Sequence, residues 1–301
     1  MDFPTLEAFV SVARSGSFSD ASQQLHITQP AVSKRVAQLE TELGERLFDR
    51  IGRQVILTQA GHTLLPRAQH ILSEASDALR ALDNLRGDVG GRLTLATSHH
   101  IGLHRLPPVL RIFTARYPRV DLDLRFLDSE QACAKVARGE LELALVTLPN
   151  DTSAELVATP IWRDRLRIAV ATDYAFGTVT LSTIADLARF PAILPPTGSY
   201  TRELIDAKFQ EMKLSVSEKM STNFLETIKM MVSVGLGWSV LPETLLDAQV
   251  VALDGLAFDL DRRLGAIQHR RRTPSNAALA MLALLVEQGK IVGATTRSLL
   301  P

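Results

Sequence analysis

The stretch from Ser17 to Thr58, SFSDASQQLHITQPAVSKRVAQLETELGERLFDRIGRQVILT, constrains the fold of this chain more than any other segment. Leu6, Phe9, Val10 and Ala13 recur at helical spacing before it, which predicts a first amphipathic helix over 4–14. Ser15-Gly16-Ser17 breaks that helix, and a serine between 17 and 19 can cap a second one bearing Phe18, Ala21 and Leu25 on one face. His26-Ile27 makes a turn. Thr28 is a good N-cap for a third helix, and Pro30 sits in its first turn, where a missing N–H costs little. A small hairpin follows, so the segment has the outline of a winged helix-turn-helix.

In the third helix Ala31, Val32, Val36 and Leu39 point inward, leaving Gln29, Pro30, Ser33, Lys34 and Arg35 on or beside the outer face. Gln, Ser and basic side chains on a helix N-terminus can bond base edges and phosphates in a major groove. Helix-turn-helix units also serve as packing modules, and charge does not decide between the two. Residues 28–58 hold Lys34, Arg35, Arg46, Arg50 and Arg53 against Glu40, Glu42, Glu45 and Asp49, a net of +1. Position says more, because Lys34, Arg35, Arg50 and Arg53 fall on the third helix and the wing.

Ala21-Ser22-Gln23-Gln24-Leu25, Thr28-Gln29-Pro30-Ala31-Val32-Ser33, Leu39 through Gly44, Leu47-Phe48-Asp49-Arg50 and Leu57-Thr58-Gln59-Ala60-Gly61 closely resemble the LysR-type transcriptional regulators. The likeness is dense over the first 65 residues or so and looser beyond. It implies double-stranded DNA as partner, read as an interrupted dyad. Gln29, Pro30 and Ser33 would then meet base edges, with Thr28, Lys34, Arg35, Arg50 and Arg53 holding phosphates or entering the minor groove.

From Thr58 to residue 86 the chain reads as one long helix. Leu64, Ala68, Ile71, Ala75, Ala78, Leu82 and Leu85 step by four and three, a sustained heptad seam. The short preceding domain offers this seam little surface, so a homodimer is expected; the resemblance implies a homotetramer and allows RNA polymerase as a partner. Gly87-Asp88-Val89-Gly90-Gly91 reads as a hinge.

Beyond Arg92 strands and helices alternate: strands at 92–97, 120–127 and 141–147 with helices at 106–117 and 130–138. This βαβαβ order predicts a parallel α/β sheet. A second set follows, with strands at 166–171, 192–194, 215–220, 236–241 and 250–253, and helices near 182–189, 200–212 and 224–234. A strand at 265–270 and a helix at 276–287 return to the first set. The expected fold class is α/β with an N-terminal all-α winged helix-turn-helix, a long linker helix and, from the resemblance, a two-lobed effector domain like a periplasmic binding protein. The boundaries are 1–58, 59–91 and 92–301, with lobe I at 92–163 and 265–301 and lobe II at 164–264.

In open α/β sheets ligands sit outside the carboxyl ends of strands, often at helix N-termini. That rule selects Ser98, His99 and His100, then Ser129 after Asp128, then Thr147, and in the second set Thr197, Ser199 and Thr201. Hydroxyls and helix-terminal amides suit a small anion. The resemblance places the family's effector sites at the Ser98 region, Thr147 and the Ser199–Thr201 turn, although Ser199 and Thr201 also read as ordinary caps. His99 and His100 fit either ligand contact or structural hydrogen bonding. His100 and His104 have the i, i+4 spacing of metal ligands, but Gly102 weakens a helix there and no HExxH follows, so no metal site is expected.

No G-x-S-x-G elbow or phosphate-binding G-x-x-x-x-G-K-[ST] loop occurs, and neither an enzyme nor a cofactor is expected. The Gly235-Leu236-Gly237 turn is not a dinucleotide fingerprint, and Arg270-Arg271-Arg272 reads as a solvated tract. One cysteine, Cys133, allows no internal disulfide and no thiolate cluster. Thirty-three basic and thirty-three acidic residues leave no bulk charge to name a partner. Met1-Asp2-Phe3-Pro4 lacks the basic start and apolar run of a secretion signal, so a cytoplasmic protein without membrane contact is expected. A solute receptor with a helical front end, and a regulator indifferent to ligand, are the rival readings.

Overall fold

The computed structural model describes residues 1–51, 54–174, 183–253, 255–256 and 258–298, with backbone alone at 50–51, 54 and 291–298. Its contacts divide into two units, 1–87 and 88–301.

The first unit opens with α1 (Phe3–Ser15), α2 (Phe18–Gln24) and α3 (Gln29–Leu43), each started by a polar cap: Asp2, Ser17 and Thr28. Each cap side chain accepts a backbone N–H that the first turn would otherwise leave without a partner. Between α2 and α3 the chain turns at His26, which holds a positive φ of 53°. Leu6, Phe9, Phe18, Ala21, Val32, Val36 and Leu39 form the core under the three helices. Ala31 and Ile27 are only half-buried, at the edge of this core rather than inside it.

A hairpin of β1 (Phe48–Ile51) and β2 (Gln54–Leu57) follows, and α4 (Gln59–Asn84) closes the unit. The heptad seam of α4 divides into two halves with different surroundings. The first half of the seam (Leu64, Ala68 and Ile71) packs on the core of its own unit, which does offer surface enough. The second half does not: Ala78 is exposed, Leu82 is 62% exposed and Leu85 82%.

In the second unit β3 (Gly91–Thr97), α5 (His99–His104), α6 (Leu106–Arg116), β4 (Val120–Phe126), α7 (Ser129–Ala137) and β5 (Leu143–Thr147) build the first lobe. β3 lies parallel to both β4 and β5, as the βαβαβ order predicts. The 16-residue strand β6 (Leu156–Ala171) then leaves this lobe for the second. The second lobe holds α8 (Ile184–Leu187), β7 (Ala192–Leu194), α9 (Tyr200–Glu211), β8 (Glu218–Ser221), α10 (Leu225–Ser233), β9 (Ser239–Pro242) and β10 (Val250–Ala252). β11 (Leu260–His269) returns, and α11 (Asn276–Ser298) packs its Ala277, Met281 and Leu285 into the first lobe.

The main sheet is mixed rather than parallel throughout. Its order is β10-β6-β11-β5-β3-β4, with β9 also on β6, and β11 runs antiparallel to both β5 and β6. β7 and β8 form a separate parallel pair. Two strands therefore cross between lobes, each of which has its own core: Leu93, Leu143, Leu264 and Met281 in the first, Leu166, Leu194, Ile205 and Trp238 in the second. Where β11 shifts register at Leu264/Gly265, a Cβ on Gly265 would stand 2.2 Å from the carbonyl oxygen of Thr159. Only glycine lets the crossing strands approach so closely.

Candidate functional site: a DNA-reading helix and an inter-lobe cleft

At the start of α3, Thr28, Gln29, Pro30 and Lys34 are exposed and Ser33 and Arg35 half-exposed, so the first two turns present a polar, basic surface. The Thr28 hydroxyl accepts the Ala31 N–H at 3.4 Å and fixes where the helix begins. Farther along, Glu40 accepts the N–H groups of Leu47 and Phe48 at 2.7 and 3.3 Å. This acid belongs to the frame that ties the third helix to the hairpin. Of the expected wing contacts, the side chain of Arg50 and all of Arg53 lie outside the described residues.

In the second unit Ser98, His99, His100, Ser129, Thr147, Ser199 and Thr201 line one cleft. They reach it from the carboxyl ends of β3 and β5 and from the first residues of α7 and α9. Thr197 does not join them: it is exposed on the turn before α9 and outside the lining. The reason is that Ser199, not Thr197, caps α9, accepting the Arg202 N–H at 3.3 Å. The cleft is narrow, with about 50 Å³ open to the centres of water molecules, room for a few waters or one compact ligand.

Hydrogen bonds fix several of these hydroxyls in place. Ser129 Oγ accepts the Thr147 N–H at 3.1 Å, joining the end of β5 to the start of α7. Thr201 Oγ1 takes a hydrogen bond from Arg262 Nη1 at 3.2 Å. At the mouth His99 makes edge contacts with Phe126 of the first lobe and Phe224 of the second, at centroid distances of 5.8 and 5.2 Å.

Behind the hydroxyls is an ionic cluster that sequence reading missed. Asp164 on β6, wholly buried, accepts from Arg262 Nη2 at 2.9 Å and from Arg105 Nη2 at 2.7 Å. His100 Nε2 approaches the same carboxylate at 3.4 Å, and His100 Nδ1 lies 3.4 Å from Glu226 on α10. At that length neither is a well-formed hydrogen bond. Burial alone would raise the Asp164 carboxyl, but His100 and the two guanidiniums outweigh it and hold the group well below the usual carboxylate range. Glu226 is likewise raised by burial, then brought down to about 2 by His100, by its own backbone N–H and by His104. Nothing in the local sequence foretells these pairs, since Arg262 and Asp164 stand 98 positions apart.

The segment after Ser98 is helical, contrary to the expectation drawn from Gly102. That glycine is needed for space: a Cβ there would lie 2.3 Å from the Phe126 ring and 3.0 Å from a Thr97 methyl. Cys133 is buried on α7, and burial pushes its thiol up to about 11.

Comparison with known proteins decides what this combination is. The lysR-family model of bacterial regulatory helix-turn-helix proteins matches residues 3–62, and the LysR substrate binding domain matches 86–290. The chain belongs to the LysR family. Members of this LysR family are DNA-binding transcriptional regulators whose second domain binds an effector; they are not enzymes. One relative is an uncharacterized HTH-type transcriptional regulator from the ibpB-leuC intergenic region of Azotobacter vinelandii, 68% identical over 108 residues. That match spans 36% of this LysR-family chain and 75% of the relative. Among solved structures, full-length CbnR complexed with its target DNA is 23% identical with a TM-score of 0.62, covering 97% of this chain and 99% of that one. The effector binding domain of QuiR in complex with shikimate is 19% identical with a TM-score of 0.60, covering 67% and 98%. Among the described residues no helix is long and apolar enough to cross a membrane.

Proposed function

We propose that this regulator reads an interrupted dyad through α3 and is switched by a small organic anion that binds between its lobes. The observation that carries the effector reading is the lining itself. Five hydroxyls (Ser98, Ser129, Thr147, Ser199 and Thr201) converge on one cleft with the N-termini of α7 and α9, backed by the buried Arg262. Helix-terminal amides and a guanidinium favour a carboxylate or phosphate. Asp128 and Glu130 share the lining, and the Glu130 carboxylate already takes the Tyr200 N–H at 2.5 Å. The ligand that suits both signs is an acid that also carries hydroxyl or other donor groups. Shikimate in the QuiR structure is such an acid.

On the DNA side, Gln29, Pro30 and Ser33 contact base edges while Thr28, Lys34, Arg35, Arg50 and Arg53 hold backbone or minor groove. Residues 1–58 form the DNA-binding domain, 59–91 the linker and 92–301 the effector domain, with lobes divided at 163/164 and 264/265. The free half of the α4 seam pairs two chains, and two such dimers form a homotetramer. It acts in the cytoplasm, with RNA polymerase as a further partner.

The test is a panel of small hydroxy acids titrated into the full chain, following the melting temperature and the DNA footprint together. An acid that raises the melting temperature and moves the footprint in the wild type, and does neither in Ser129→Trp, supports the reading. Footprints that ignore every acid in the panel speak for a regulator indifferent to ligand.

A further inference from the structure

We infer that His100, His104 and Glu226 form a binding site for a divalent transition-metal ion of the zinc class, bridging the two lobes. His100 and His104 sit one turn apart on α5 of the first lobe, their ring centroids 4.8 Å from each other. Glu226 comes from the first turn of α10 in the second lobe. Its Oε1 is 3.0 Å from His104 Nε2 and 3.4 Å from His100 Nδ1, and one ligand atom from each residue lies within 4.8 Å of the others. A tetrahedral zinc with bonds of about 2.0–2.1 Å spaces its ligand atoms roughly 3.3–3.4 Å apart. Two edges of that tetrahedron are already in place, and a modest turn of the two rings closes the third.

A second observation points to the same ion. His100 is 4% exposed, yet neither ring nitrogen has a hydrogen-bond partner of good geometry, and Glu226 Oε2 is equally without one. Buried polar atoms left in that state are rare and costly. An ion on the Nδ1 side satisfies that nitrogen, leaving Nε2 facing Asp164 at 3.4 Å. A carboxylate on the far nitrogen is what metal-binding histidines ordinarily keep, because it fixes the tautomer and the ring plane. Asp164 is itself fixed by Arg105 and Arg262.

Two imidazoles and one carboxylate suit zinc, cobalt or nickel and disfavour magnesium or calcium, which prefer oxygen alone. Because the ligands come from both lobes, the ion binds the closed arrangement better than any opened one and shifts the balance toward it. This holds whichever organic ligand the cleft takes.

The experiment uses the full chain, stripped with chelator and titrated with Co²⁺ alone, reading the visible bands of a low-symmetry cobalt site. The expected result is one saturable ion per chain at micromolar concentration, displaced by Zn²⁺. His104→Ala and Glu226→Gln should each weaken binding by about tenfold or more. His70→Ala, on the other unit, should leave it unchanged. His104 is 35% exposed on its side chain, so its removal opens no core, and an unchanged melting temperature without metal verifies the fold. Absence of saturable binding, or undiminished binding in a folded His104→Ala, overturns the site.

Discussion

Arg262 Nη2 lies 2.9 Å from Asp164 Oδ2, with the guanidinium 3% exposed and the carboxylate wholly buried, at the place where β6 and β11 cross from one lobe to the other. Taking one member from such a pair leaves an uncompensated charge in the interior, which costs about 3–5 kcal/mol. Asp164→Ala should do worse than Arg262→Met, because it strands two guanidiniums rather than one carboxylate that still has Arg105. Chemical denaturation of the two variants beside the wild type checks the order.

The same cluster sets a pH dependence. The folded Asp164 and Glu226 are held below their unfolded values, Glu226 at about 2. Their contribution is therefore complete above the ordinary carboxylate range of about 4 and is lost as pH falls through it toward 2. Acid melts should show the second unit destabilising across that window. Glu226→Gln should flatten the part of the slope near pH 2–4, measured by thermal unfolding at stepped pH.

Gly265 gives a sharper stability test. A methyl group there meets the Thr159 carbonyl oxygen at 2.2 Å, and backbone cannot swing aside as a side chain can. Gly265→Ala should destabilise the second unit by about 1–3 kcal/mol, the cost of overpacking, while the first unit keeps its own transition. Two-probe unfolding that shows equal loss in both units contradicts this.

On α4, Leu79 and Leu82 are 65% and 62% exposed beyond the point where the helix leaves its own core. Charge on that face should break the pairing of chains without unfolding the three-helix core. Leu82→Glu should sediment as a lighter species than the wild type and lose affinity for a dyad far more than for one half-site.

The first unit was the more legible part of the chain, and for a local reason. Ser17 and Thr28 cap helices a few residues away, and Leu6, Phe9, Val36 and Leu39 repeat at the period of the helices they bury. In the second unit the strand ends carrying Ser98, Ser129 and Thr147 could be placed because each follows an apolar run. The first half of β6 could not: Pro160 and the charged run Arg163-Asp164-Arg165 interrupt any strand pattern, and the segment is held by β11 a hundred residues away. Arg262, Asp164 and Glu226 were hidden for the same reason. Their partners are long-range, and charged residues in a sequence carry no mark of whether folding will bury them. The α5 helix was obscured by Gly102, whose role is to make room for Phe126 rather than to break the turn.

The division of labour on α3 is also measurable. Gln29→Ala should relax base choice at one operator position by about 1–3 kcal/mol. Lys34→Ala should weaken every DNA alike and reduce the salt slope by about one unit.

The most direct measurement is selection of genomic fragments by the purified full chain at moderate salt, with Gln29→Ala in parallel and the retained operators then titrated with hydroxy acids. The account predicts an interrupted dyad in the wild type, degenerate in the variant, whose footprint shifts with an acid that also raises the melting temperature. Enrichment of no sequence, or the same sequences with equal strength by both proteins, would contradict it.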